Sequence, residues 1–205
     1  MYTKRPVSRI CQGDIFEGYV HESSKVVNDV LETLVINFPF IIILTQDCDL
    51  ESDSRNRDQS VTERKNNDKY LQEILFAPAY KAESFRAGDH LSNFNLKMET
   101  FNTKTWPYLT SNQKERYHYF PENQDSKIPA LVVDFKHYYT LPREDVYAIY
   151  PEKYKVSIDT LYREDLSQRF AHYLSRIGLP ERYEPPAVEG TISASGGSDT
   201  ASGIT

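Results

Sequence analysis

The chain has 205 residues, with 24 Lys and Arg against 30 Asp and Glu and a formal net charge of −6. That balance excludes a general nucleic-acid binder with a broad basic surface and leaves room only for a local basic patch. The longest apolar run, Phe38 to Leu44, is far short of the ~20 residues that a membrane helix needs, so the expectation is a cytoplasmic protein with no membrane partner.

In chain order, Asp14 to Val20 alternates polar and apolar residues after Gly13 and predicts a half-buried strand. A second strand is predicted at Thr33 to Asn37. Phe40 to Leu44 is apolar at every position, which a strand tolerates when both of its faces are covered, so it reads as the central strand. Glu51 to Lys69 is charge-balanced and nearly devoid of apolar residues, and reads as a long mobile loop. Leu71 to Tyr80 returns to strand character, with Pro78 pointing to an edge or an end. Glu83 to Thr100 fits a short amphipathic helix broken near Gly88. Three more strands are predicted at Arg116 to Phe120, Ala130 to Phe135 and Tyr138 to Leu141. The clearest helix carries Leu161, Leu166, Phe170, Tyr173, Leu174 and Ile177 at helical spacing, capped by Asp159 or Thr160 and stopped by Gly178 and Pro180. From Pro185 the composition turns to Gly, Ser and Thr, so the expected organisation is one domain over 1–184 and a disordered tail over 185–205.

The chemistry-bearing stretch is Thr45-Gln46-Asp47-Cys48-Asp49, at the end of the apolar run. If the chain stays extended there, Asp47 and Asp49 share one face while Gln46 and Cys48 share the other. The carboxylates are then either turn caps or the start of a Mg²⁺ or Mn²⁺ site, although two carboxylates are too few for a complete one. No cofactor is called for. Cys11 and Cys48 form no CxxC pair and read as reduced thiols. Carboxylate neighbours raise a thiol's pKa, so a nucleophilic Cys48 would need His118 as its base; otherwise it is a small hydrophobe at the strand end. His118, between two tyrosines, is either that base or a member of an aromatic cluster. Arg169, His172 and Arg176 align on the last helix, as a solvated face or a small phosphate-binding patch.

The blocks "QGDIFEGYV" (Gln12 to Val20), "PFIIILTQ" from Pro39 and "ILFAPAY" (Ile74 to Tyr80) resemble the successive strands of MazF/PemK-type toxins. The resemblance covers mainly residues 12–80. It implies an α+β, mainly β fold, an SH3-like small barrel with appended helices, often a homodimer, and in active members a metal-independent endoribonuclease. Gly13 and Asp14 take the place of the family's opening Gly-Asp, and Pro39 that of its second-strand proline. Phe38 stands where active members carry a basic residue, and Tyr80 and Lys81 where they carry Ser or Thr. Three functions follow as expectations. One is an effector of a toxin–antitoxin or phage-defence system acting on RNA through Asp47, Cys48, Asp49 and His118, with Gln46, Arg169 and Arg176 binding. Another is a catalytically silent module that binds an antitoxin, another defence component or nucleic acid. The third is a Cys-His hydrolase.

Overall fold

The computed structural model describes residues 1–5, 8–58 and 67–176. Strands β1 (Tyr2–Thr3), β2 (Asp14–Val27), β3 (Val30–Ile43), β4 (Glu73–Lys81), β5 (Tyr117–Phe120), β6 (Leu131–Asp134), β7 (Tyr139–Pro142) and β8 (Tyr154–Ile158) form one sheet. Its order is β1-β8-β2-β3-β4-β6-β5, with β7 also paired to β4, and every pairing is antiparallel. Helices α1 (Asp47–Arg57), α2 (Ala82–Ala87), α3 (Trp106–Thr110), α4 (Arg143–Lys153) and α5 (Thr160–Leu174) pack around it. The architecture is α+β, mainly β, with the sheet curled into a half-barrel. Among the described residues no helix is long and apolar enough to cross a membrane.

β3 is central, as its unbroken apolar run requires. Phe40, Ile42 and Leu44 join Ile15, Val133, Phe135, Leu166 and Phe170 on one side, while Phe38, Ile41 and Ile43 join Phe16, Leu50, Phe76, Val146 and Tyr150 on the other. A third cluster under α2 and α3 holds Tyr80, Phe85, Phe101, Leu109, Tyr117 and Val132. Six of the largest fully buried side chains are phenylalanines, so aromatic area supplies much of the apolar burial.

Several expectations are corrected. The two strands predicted at Thr33 to Asn37 and Phe40 to Leu44 are one strand, β3. Pro39 does not end it because the ladder steps from Glu17↔Phe40 to Tyr19↔Phe38, skipping Gly18, whose φ of 69° allows the irregularity. Pro78 lies inside the sheet, opposite Ile41, rather than at an edge. Its other flank is the gap between β7, which pairs Glu73 to Phe76, and β6, which pairs Ala79 to Lys81; a missing N–H costs least there. The expected loop from Glu51 is helical as far as Arg57, and residues 59–66 lie outside the described residues. The helix expected across Glu83 to Thr100, broken near Gly88, is the short α2, closed by Gly88 in the left-handed conformation, and beyond the break only a 3₁₀ turn forms at Ser92–Phe94. In α5, Leu166 and Phe170 are buried but Leu161 and Leu174 are exposed, so the core-facing stripe is narrower than predicted. Ile177, the stop at Gly178 and Pro180, and the expected tail lie outside the described residues.

β2 and β3 continue past the sheet as a two-stranded arm. β2 touches β8 only over Asp14 to Phe16, and β3 touches β4 only over Phe40 to Ile43, yet the two strands pair with each other down to Val27↔Val30. Asn28 and Asp29 turn the hairpin with φ of 51° and 62°, the left-handed pair that a two-residue connection demands. Tyr19, His21, Ile36 and Phe38 root the arm on Phe76 and Tyr139, and among the described residues it projects alone beyond them.

Candidate functional site

Two polar centres lie where the N-terminal segment meets the ends of β3 and β8. The tight turn from Cys11 to Asp14 needs Gly13 at φ 80°, where a Cβ would sit 3.1 Å from that of Ile158. It buries the Asp14 carboxylate completely. Asp14 Oδ1 accepts from Arg5 Nη2 and Ser157 Oγ, each at 2.6 Å, and Oδ2 accepts from the Cys11 N–H at 2.8 Å and the Tyr150 hydroxyl at 3.4 Å. Arg5 also donates to the Cys11 thiol. Burial pushes the Asp14 carboxyl up, against the pull of Ser157 and Arg5. Burial likewise raises the Cys11 thiol, so this cysteine is held as a thiol rather than a thiolate nucleophile.

The second centre is Asp47. Its oxygens accept from Arg9 Nη1 and Nη2 at 3.1 and 3.0 Å, and Arg163 Nη1 lies 3.2 Å from Oδ2. Burial works to raise this carboxyl, but the Arg9 hydrogen bonds and the Arg163 charge prevail and hold it below the ordinary range. Asp47 thus ties the N-terminal segment, α1 and α5 together.

The structure does not assemble the other predicted residues around it. The chain leaves the strand conformation after Ile43 and α1 begins at Asp47, so Asp47 and Asp49 do not share a strand face. Cys48 is exposed, and among the described residues its Sγ meets only the acceptors Gln46 Oε1 and Asp49 Oδ1, at 3.7 and 3.8 Å. His118 is only 2% exposed, its ring 4.4 Å from Phe120 and 6.3 Å from Phe135. Burial, with Arg169 adding its charge, lowers the His118 pKa to about 3. No contact joins Cys48 to His118. Arg169 Nη2 donates to the carbonyls of Lys114 and Tyr117, while His172 and Arg176 face Glu115 at 3.5 and 3.9 Å, so this face already holds its counter-charge. Among the described residues no three His, Cys, Asp or Glu side chains converge as metal ligands.

An open cleft lies instead at the foot of the arm. It has a volume of about 410 Å³ and is walled by Tyr19, Val20, Asn37 and Phe38 on one side and by Ser84, Asp89, His90, Ser92 and Asn93 on the other. Gly88 makes the second wall: it closes α2 at φ 75°, and a Cβ there would meet the Met98 carbonyl oxygen at 2.5 Å. His90 stacks on Phe85 at 4.2 Å, and burial lowers its pKa to about 4, so it is neutral at pH 7. Among the described residues, neither lysine nor arginine lines the cleft. None of its residues is a functional candidate from the sequence; Gly18, Tyr19, Val20 and Pro39 enter there only as parts of strand blocks, and the one available signal was Gly18 and Pro39, which mark a ladder irregularity.

No family model matches the chain, and neither a curated protein nor a solved structure shows significant similarity to it.

Proposed function

We propose that this chain is a protein-recognition module that engages a partner through its projecting β2–β3 arm. The observation that carries the reading is the arm's composition. Val20, Val26, Val30, Leu31, Leu34 and Val35 are all exposed, half of the exposed large apolar residues among those described, and they lie on one two-stranded ribbon. Such a ribbon with no third strand is at best marginally stable in water, and long apolar strand edges invite another chain. The scaffold we propose beneath it is the SH3-like, MazF/PemK-type barrel, supported by the Gly13-Asp14 opening of β2 and by Pro39 within β3. In that setting an antitoxin or another defence component would engage the arm. The enzymatic readings have less support, because a Cys-His hydrolase needs its base beside the thiol and an RNA-cleaving cleft needs cations to hold phosphate.

The test is site-specific photo-cross-linking in cells that make the protein, with the reactive group at Leu31 and, as control, at Tyr108 on α3, which is 55% exposed. A discrete protein adduct from Leu31 and none from Tyr108 is the expected result. Equal labelling from both positions, or none from Leu31, overturns the reading.

A further inference from the structure

From the arm and the cleft together, we infer that the arm's partner is a separate basic protein segment that lies along one face of the arm and anchors an arginine in the cleft at its foot. This rests on the arm reading above. The register puts Val20, Glu22, Ser24 and Val26 on one face with their partners Asn37, Val35, Thr33 and Leu31. That face is continuous with the cleft, since Val20 and Asn37 belong to both. An extended segment about seven residues long covers the distance at ~3.4 Å per residue.

The cleft's chemistry selects the anchor. Asp89 supplies a carboxylate, Asn37 and Asn93 supply amide oxygens, Ser84 and Ser92 supply hydroxyls, and the half-buried Tyr19 supplies an aromatic ring, while the Phe38 ring is packed inward on Phe76 and Tyr139. Acceptors in several directions beside an aromatic ring suit a planar guanidinium, which carries five donors and stacks on such a ring. A phosphate or carboxylate ligand would find no cation there among the described residues. Charge also argues against a second copy as the occupant. Over residues 17–36, Glu17 pairs with Lys155 of β8 at 2.5 Å and Glu32 with Lys25 at 3.5 Å, which among the described residues leaves Glu22 and Asp29 as the carboxylates without an ion pair on the arm of a chain whose net charge is −6. Two such arms would repel each other, whereas a basic segment is attracted at Glu22 on the docking face and at the Asp29 tip.

The probe is an acetylated heptapeptide of alternating Val and Ser ending in arginine amide, compared with a twin ending in neutral citrulline. Both are titrated into the full chain at low salt and followed by the backbone amide shifts of Asn37, Ser92 and Asn93. The arginine peptide is expected to shift these amides and to bind about fivefold more tightly than its twin, a margin typical of an exposed carboxylate partner. Asp89→Asn is expected to erase that margin. Equal binding of the two peptides, or an unaltered margin in Asp89→Asn, overturns the inference. Its failure is separable from that of the arm reading. A separate partner cross-linked from Leu31 equally well to the parent and Asp89→Asn proteins overturns the arginine anchor and leaves arm docking standing. Arginine-selective binding at the cleft without an arm-specific adduct does the reverse. An adduct of two copies of this chain overturns the basic partner.

Discussion

A buried histidine that cannot take a proton makes folding depend on pH. The unfolded chain protonates His118 below about pH 6.5, whereas the folded chain holds its pKa near 3, so stability falls with pH through that window. The slope for one group is at most about 1.4 kcal/mol per pH unit. We expect His118→Leu, which fills the same apolar site between Phe120 and Phe135, to lose less stability than the parent between pH 7 and pH 5. The difference should be roughly 2 kcal/mol by urea unfolding at the two values. Equal losses would mean that the imidazole is accessible to protons in the fold. His90 leaves a residual slope of the same sign in both proteins. At this scale the sequence shows residue types but not their partners. His118 beside two tyrosines was legible as a member of an aromatic cluster, while its neighbour Phe135 comes from the turn just after β6. Asp14 and Ser157, 143 positions apart, could not be linked by any local pattern.

Among the elements, α1 shows how a helix can go unread. Its buried positions are Leu50, Asp53 and Asn56, so two of the three inward residues are polar and the apolar periodicity that announces a helix is missing. Asp53, 1% exposed, substitutes for an apolar contact by accepting from Arg57 Nε at 2.8 Å, Arg143 Nε at 2.5 Å and the Leu71 N–H at 2.9 Å. It thereby joins α1, the chain entering β4 and the start of α4. α4 itself is masked in the sequence by Pro151 within its last turn. Removing Arg143 takes one of the two cationic partners of Asp53 and leaves Arg57 to hold the buried charge, so Arg143→Leu should cost about 2 kcal/mol. Asp53→Asn combined with Arg143→Leu should cost clearly less than the sum of the single changes in equilibrium unfolding; strict additivity would show that the pair does not couple. By contrast the β2–β3 hairpin was within reach, since Asn28-Asp29 between valines is a two-residue turn signal.

At the scale of the molecule, the half-barrel and its arm are energetically distinct. The three apolar clusters draw on the sheet, α1, α2, α3, α4 and α5, and from the arm they take only its root. Replacing residues 23–34 by an Asn-Gly turn, which keeps Glu22 opposite Val35, should therefore leave the melting temperature within about 2 °C of the parent. A fall of more than about 5 °C would show that the arm supports the body. The central position of β3 was legible because five successive apolar residues can be buried in only one way within a sheet. The curl and the strand order were not, because they depend on β8, whose five residues carry a weak pattern and whose place beside β2 is set by the Asp14 carboxylate.

That carboxylate also sets the order in which the chain can be finished during synthesis. Its partners Tyr150 and Ser157 lie 136 and 143 residues downstream, so at ~5–20 residues per second Asp14 waits on the order of 10–30 s before they leave the ribosome. The hairpin between β2 and β3 is local, and hairpins of this kind close in about 1–10 μs once both strands have emerged. The arm is therefore on display on the nascent chain well before the half-barrel beneath it is complete, and a partner that recognises it can engage the chain while it is still being made.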